Sequence, residues 1–575
     1  MKDLPNPETQ LKRSYLPDNF QVTDWESLRK FYDELLNRPI HSVDDLEAWV
    51  LDENELEAVT SEDRRWRYIR ISCNSNDKKA EEAFNYFVKE ITPNIAQYNQ
   101  QLNQKLVSSP FVKSLDKNKF RIYLRDIENA IRLYREENIP IHTEIQMYSK
   151  EFATIASEMT IILDGNELTL QQASVLLTET NRELRESVYR KTSERRLEDA
   201  GKLDDLFDKL IEKRQLLAQN AGFDNFRDFK FADLGRFDYG PEDCYAFHDA
   251  IANEVVPLVD EMNRQRQKYL GIDRIRPWDL SVDPLYDEPL MPYKNVNELI
   301  EKSILCLSDL HPYFGNCISI MDQMNHLDLD SRKGKRPGGY NMPLPETGIP
   351  FIFMNSANSM RDMRTMMHEA GHAVHSLLTR EKKMNIDKRP PSEVAELAAM
   401  AMELLTMDFW PRFFDSEEDY KRARIWQLQK SVSLLPWVAT ISKFQHWLYT
   451  NEGHTSEERD NAWLEIFHEF ESDTVNWTGL EPFSRKLWQR QLHLFEVPFY
   501  YIEYGMAQLG AIAIWRNYRR DPEKTLQNYI EALELGYTKP IGEIYEKAGI
   551  QFNFSSAYVS ELMDFVSQEL KELTS

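Results

Sequence analysis

The stretch "MHEAGHAVHSLL", residues 367–378, sets three histidines and a glutamate into eight residues of an otherwise apolar run. Its apolar residues recur at helical rather than strand spacing: Met363, Met366, Met367, Ala370, Val374 and Leu377 fall on one face. Just upstream, "NSANSMRDMRT" supplies Ser359 and, three residues later, Asp362, a capping-box pair that predicts where the helix starts. Arg380, Lys382 and Lys383 suit its C-terminal end, where the helix dipole favours cations. On such a helix His368 and His372 are one turn apart and share a face, the spacing that lets two imidazoles bind one tetrahedral zinc ion. Glu369 lies beside the first imidazole, placed to reach a water rather than the ion. That is the general-base position of an H-E-x-x-H zinc hydrolase.

A catalytic zinc site needs a third protein ligand and one open position. Downstream, "PPSEVAELAAMAMELLTMDFW" (390–410) reads as a second helix carrying Glu393, Glu396 and Glu403 at steps of three and seven, so all three carboxylates can line one face. Glu396 is the expected third ligand, with Glu403 or Glu393 accepting a hydrogen bond that orients a histidine. Glu393 also suits the first turn of a helix on dipole grounds alone. His375 leaves three roles open: ligand, orienting donor, or packed side chain. A fourth protein ligand would turn the site into a structural one.

The chain has 575 residues and a formal net charge of −25, long enough for two or more lobes and repulsive toward phosphate backbones and anionic lipids. The expected partners therefore exclude nucleic acid and membranes, and the oligomeric state is left open. Four cysteines, Cys73, Cys244, Cys306 and Cys317, contain no C-x-x-C pair, which suits a reducing compartment without disulfides. With no apolar signal region at the start and no run of 18 apolar residues, the expected location is cytoplasmic.

Glycine is scarce and long segments are amphipathic at helical spacing, including "EEAFNYFVKEITPNIAQYNQQLNQKL" (81–106) and "DDLFDKLIEKRQLLAQNAGF" (204–223). The fold is therefore expected to be mainly α, with no fixed-period repeat. Proline interrupts the helical pattern at 274–293 and 335–350, and the second interruption runs into "FIFMN" (351–355), a short β-like run. A small sheet is expected beside the motif helix.

"HEAGHAVH" followed by the glutamate of "AELAAMAME" resembles the M3 family of zinc oligopeptidases, in particular its oligoendopeptidase F branch. The similarity continues in "LDLDSRKGKRPGGYNMPLPETGIPFIFMN" from Leu327, "LLAQNAGFDNFRDF" from Leu216, "FQHWLYTNEGHTSEERDNAWLEIF" from Phe444 and "HLFEVPFYYIEYGMAQLGA" from His493. It implies a zincin-type, two-lobed helical clamshell with a deep substrate channel, an N-terminal helical lobe over 1–200 and a catalytic region over 201–575. It implies one Zn2+ per chain on His368, His372 and Glu396, with Glu369 as general base and proton shuttle. By the same resemblance His493, Tyr504 and Tyr501, with Tyr500 also in reach by sequence, bind substrate and the developing oxyanion. Ala399 stands where many relatives have serine, and Gly338-Gly339-Tyr340 has glycine where the wider family often has alanine.

The activity so implied is endopeptidase cleavage of unstructured oligopeptides. A peptide would be held extended by backbone pairing along 349–355 and by the loop 338–340. Two alternatives share the motif: a zinc exopeptidase, which needs groups that capture a peptide terminus, and a peptide-binding protein without turnover.

Overall fold

Helix accounts for 70% of the chain and strand for 4%, so the few strands matter for what they position. The protein is described here by a computed structural model covering residues 4–6, 11–286 and 288–574. A hairpin of β1 (Thr160–Leu163) and β2 (Asn166–Thr169) turns at Asp164 and Gly165, both at positive φ (50° and 81°), the backbone that a tight two-residue turn requires. The remaining strands, β3 (Leu327–Asp330), β4 (Tyr340–Met342) and β5 (Phe351–Ser356), form one sheet in the order β3-β5-β4. β5 runs parallel to β3, pairing Leu327 with Ile352, and antiparallel to β4, pairing Tyr340 with Phe353.

The expected strand at 351–355 is thus present, but as the central strand. Over 351–353 both its edges are taken, so these residues offer no free edge to a peptide, and the expectation of pairing along 349–355 is corrected for them. Among the described residues the outer edges of β3 and β4 carry no further strand.

The chain divides into two compact units, each assembled from three segments. The first comprises 1–131, 290–424 and 510–552, and the second 132–289, 425–509 and 553–575. In the first unit the long helix Val43–Cys73 backs the sheet. Its Ile69 and Trp66 pack with Leu344, Phe351, Phe353, Tyr340 and Met342. Glu62 on the same helix accepts the N–H groups of Glu346 (2.7 Å) and Thr347 (2.8 Å), and Arg65 donates to Pro343 O, so the β4–β5 connection is fixed by side chains. Lys335, its side chain fully buried, donates to Asp328 Oδ1 (2.9 Å) and to the carbonyls of Asp328, Asp330 and Met354. One ammonium therefore ties the loop before β4 to β3 and β5, and it is compensated by a carboxylate.

In the second unit buried arginines perform the equivalent task. Arg214 donates to Tyr449 Oη (2.7 Å), Leu494 O (2.7 Å) and Phe495 O (2.5 Å). Arg236 pairs with Glu503 (2.7 Å) and donates to Phe499 O. Phe499 holds φ 65°, an uncommon conformation for a bulky residue, and its N–H is fixed by Gln445 Oε1 at 2.5 Å.

Among the described residues no helix is long and apolar enough to cross a membrane. All four cysteines are free thiols, three of them buried.

Candidate active site

The motif helix spans Met360–Thr379 and opens where the sequence predicts it: Asp362 N–H donates to Ser359 Oγ at 3.3 Å and Ser359 N–H donates back to Asp362 Oδ2 at 3.0 Å. All six residues of its expected apolar face are buried. Arg380, expected only to complement the dipole, is itself buried and donates to Asn6 O (2.8 Å) and Thr347 O (3.3 Å).

The glutamate helix, Ser392–Leu405, lies directly against the motif helix, and Gly371 explains how. A Cβ at Gly371 would stand 2.6 Å from Ala398 O and 2.6 Å from Ala399 Cα, so only glycine permits this approach. Ala399, the departure from the relatives' serine, is one wall of that crossing.

This closeness gathers the polar residues of the two helices. His368, His372 and Glu396 each present one ligand atom, all within 4.8 Å of one another. His368 Nε2 is 3.3 Å and His372 Nε2 4.0 Å from Glu396 Oε2, and the two imidazoles stand edge to face at 87°. Of the two candidate acceptors Glu403 engages His368: His368 Nδ1 lies 2.8 Å from Glu403 Oε1, which leaves Nε2 to the shared centre. Arg364 Nε donates to the other Glu403 oxygen at 2.5 Å. Arg364 sits one turn before His368, so helical spacing alone places it on the same face.

The electrostatics follow from burial and these pairs. Burial raises Glu403, but Arg364 and His368 outweigh it and hold its carboxyl at about 2. Burial opposes a charge on His368, yet Glu396 and Glu403 together push it well up. Burial pushes His372 down to about 4 and Glu369 up to about 7, the latter partly offset by His368. Glu369 Oε2 is buried and has no hydrogen-bond partner. Asn341 on β4 donates to Glu369 O at 3.3 Å, which links the free strand edge to the motif. His375 is 4% exposed, its Nε2 is unpartnered, and burial pushes it down to about 3; it is not one of the three residues that converge.

Two nitrogens and a carboxylate oxygen fit zinc by donor chemistry, with Nδ1 of His368 already fixed by Glu403. The buried, unpartnered carboxylate oxygen of Glu369 beside them needs a partner that the protein does not supply.

The second unit holds the C-terminal candidates as one aromatic group. The His493 ring lies 4.6 Å from Tyr501, 6.1 Å from Tyr504 and 6.3 Å from Tyr500. Gln491 Nε2 meets His493 Nδ1 at 2.6 Å, and Trp437 Nε1 donates to Gln491 Oε1 at 2.9 Å. Burial pushes His493 down to about 4 and Tyr501 up to about 12, so both are neutral near pH 7 and able to take part in hydrogen bonds as neutral groups. Gln491 had no distinguishing signal in the sequence.

A mainly helical chain in which a glutamate helix crosses an H-E-x-x-H helix defines a class, the helical metallopeptidases of that motif. This chain belongs to peptidase family M3: the family model "Peptidase family M3" matches residues 175–564, and "Peptidase M3 N-terminal domain" matches residues 17–134. It is 24% identical over 370 residues to an oligoendopeptidase F homolog of Lactococcus lactis subsp. lactis, covering 63% of this chain and 59% of that protein. It is 23% identical over 407 residues to oligopeptidase PepF of Bacillus subtilis, covering 67% of this chain and 57% of that protein. The match thus spans less than two thirds of these curated relatives' length. The solved structure of PZ peptidase A with inhibitor 2 superposes with a TM-score of 0.88 at 25% identity, covering 96% of this chain and 98% of that one. A putative oligoendopeptidase F from Bacillus anthracis gives a TM-score of 0.84 at 22% identity, covering 98% and 99%.

Proposed function

We propose that this chain is a zinc metalloendopeptidase that hydrolyses internal bonds of unstructured oligopeptides, with one Zn2+ held by His368, His372 and Glu396. The convergence of those three ligand atoms within 4.8 Å, beside the buried and unpartnered Glu369 carboxylate, carries this reading. A zinc ion bound there supplies Lewis acidity toward a water and a carbonyl oxygen. Glu403 keeps His368 in the tautomer that leaves Nε2 bare. Glu369 takes a proton from the attacking water at its carboxylate and passes it to the leaving amine nitrogen. A buried carboxyl near neutrality is suited to both halves of that transfer.

The peptide would add as a strand along β4, Tyr340–Met342. Backbone bonds there read extended shape rather than side chains, which favours broad sequence tolerance. By resemblance to the family, His493, Tyr504 and Tyr501 bind the substrate and the developing oxyanion, and burial keeps His493 and Tyr501 neutral.

Digestion of a mixed peptide set, followed by mass spectrometry, tests the assignment with wild type, Glu369→Gln and chelator-treated protein. Internal cuts confined to the zinc-loaded wild type are expected. Trimming of single residues would favour an exopeptidase, and cleavage persisting in Glu369→Gln would sink the assigned proton transfer.

A further inference from the structure

β4 is three residues long, and its pleat divides them between two faces. Tyr340 and Met342 pack with Trp66 and Ile69 of the helix Val43–Cys73. Asn341 takes the other face, together with its strand partner Ile352. There its Nδ2 donates to the backbone carbonyl of Glu369 at 3.3 Å. A carbonyl oxygen only accepts, so this contact fixes the orientation of the amide and turns Oδ1 away from the helix carbonyl. Oδ1 is shielded from solvent and has no hydrogen-bond partner among the described residues.

Asparagine is an unfavourable residue for this place. Strands prefer β-branched and aromatic side chains, and a shielded acceptor without a donor lowers stability further. A valine would avoid both penalties and lose one thing, the bond from β4 to the backbone of Glu369. Departures of this kind from local preference are expected at functional sites.

The position of that bond gives it a use. Glu369 is the residue assigned above to move the proton, and β4 is the strand along which the peptide is proposed to pair. Asn341 belongs to the strand by its main chain and reaches the base's backbone by its side chain, so one residue couples the two. Two residues further along the motif helix, Gly371 lies against Ala398 and Ala399 of the glutamate helix. The same turn of the motif helix is thus held by the strand at Glu369 and by the glutamate helix at Gly371. The second contact brings the ligands together, and the first sets the distance from the strand. All of these residues lie in the first unit.

We propose that Asn341 is a positioning residue for peptide hydrolysis, which keeps a peptide paired with β4 at a fixed offset from Glu369. This rests on the peptidase function proposed above. The peptide is held on the strand by backbone groups, and that hold does not pass through the Asn341 side chain. Removing the side chain therefore loosens the offset between base and peptide while leaving substrate binding in place. A misplacement of about 1 Å lowers a rate by about 100-fold.

The test compares full-length Asn341→Val with wild type in three measurements. These are steady-state cleavage of one quenched fluorescent heptapeptide by the zinc-loaded proteins, zinc competition against a chromophoric chelator, and urea unfolding of the metal-free proteins. The expected kcat is lower by roughly 10- to 100-fold, with KM and zinc affinity each within about twofold. The urea midpoint is expected to equal or exceed that of wild type, because the valine suits the strand and carries no shielded acceptor. An unchanged kcat overturns the proposal. So does a loss of kcat that comes with a lower midpoint, a raised KM or a matching loss of zinc affinity, since a merely structural asparagine would give those. Should Asn341→Val not fold, Asn341→Ala is read for the same split: a fall in kcat alone supports the role, and any other pattern overturns it.

The two proposals fail differently. A wild type that cleaves no peptide removes the peptidase function and the role with it, whereas an active wild type matched by Asn341→Val removes only the role of Asn341.

Discussion

His368 faces two carboxylates, Glu403 at Nδ1 and Glu396 beside Nε2, and the two do different things. Glu403 is itself held by Arg364, so the chain Arg364–Glu403–His368 fixes a ring orientation that the backbone alone does not determine. Glu403→Ala should therefore weaken zinc binding by about 10- to 100-fold while the helix still forms, as read by competition with a chromophoric chelator. A change of less than about twofold would remove Glu403 from the metal centre. Helical spacing makes the facing of His368 and His372 readable from the sequence. The choice between Glu393 and Glu403 is not readable, because spacing lets both share one helix face and only the packing of the two helices selects one.

At the scale of elements, the crossing of the motif helix and the glutamate helix sets how close the ligands come. Gly371→Ala raises intrinsic helix propensity by about 1 kcal/mol, yet it drives a methyl to within 2.6 Å of Ala398 O and Ala399 Cα. Overpacking of this kind costs roughly 1–3 kcal/mol and parts the helices, so the net expectation is a lower denaturation midpoint together with weaker zinc binding. A variant as stable as wild type with unchanged zinc affinity would mean that the crossing can relax at no cost to the centre. The sheet teaches a related lesson. "FIFMN" is recognisable as a strand from composition, but its place at the centre depends on β3 and β4, which join it from 327–330 and 340–342. Pairing between segments leaves no local trace, so a strand's place at the centre or the edge of a sheet is not readable from its own residues.

Across the whole molecule, acid sensitivity has a defined source in the second unit. His248 and His446 are buried, their rings 5.7 Å apart, and none of their four ring nitrogens has a hydrogen-bond partner. Burial first, and then Arg227 and Arg236 against Asp228, push His446 down to about 3. Burial, His446 and Lys443 push His248 well down. The folded form keeps both neutral, whereas the unfolded chain takes up protons below about pH 6.5. Their contribution to stability is thus intact above that value and declines as pH falls toward 3, by up to about 1.4 kcal/mol per pH unit for each histidine. Urea midpoints at pH 7, 5.5 and 4.5 should fall along this course and flatten in His446→Phe. An unchanged acid slope in that variant would place the sensitivity elsewhere.

The sequence by itself determined the mainly helical fold, the capped start of the motif helix, the shared face of His368 and His372 and the family, because each is written in local periodicity or contiguous motif. Only the tertiary structure decided which glutamate holds His368, that Gly371 is there to let two helices touch, and that β5 is the central strand with β3 and β4 on either side. The physical reason is the same in each case. These properties depend on atoms far apart in the chain, and their distances are set by packing rather than by spacing along it.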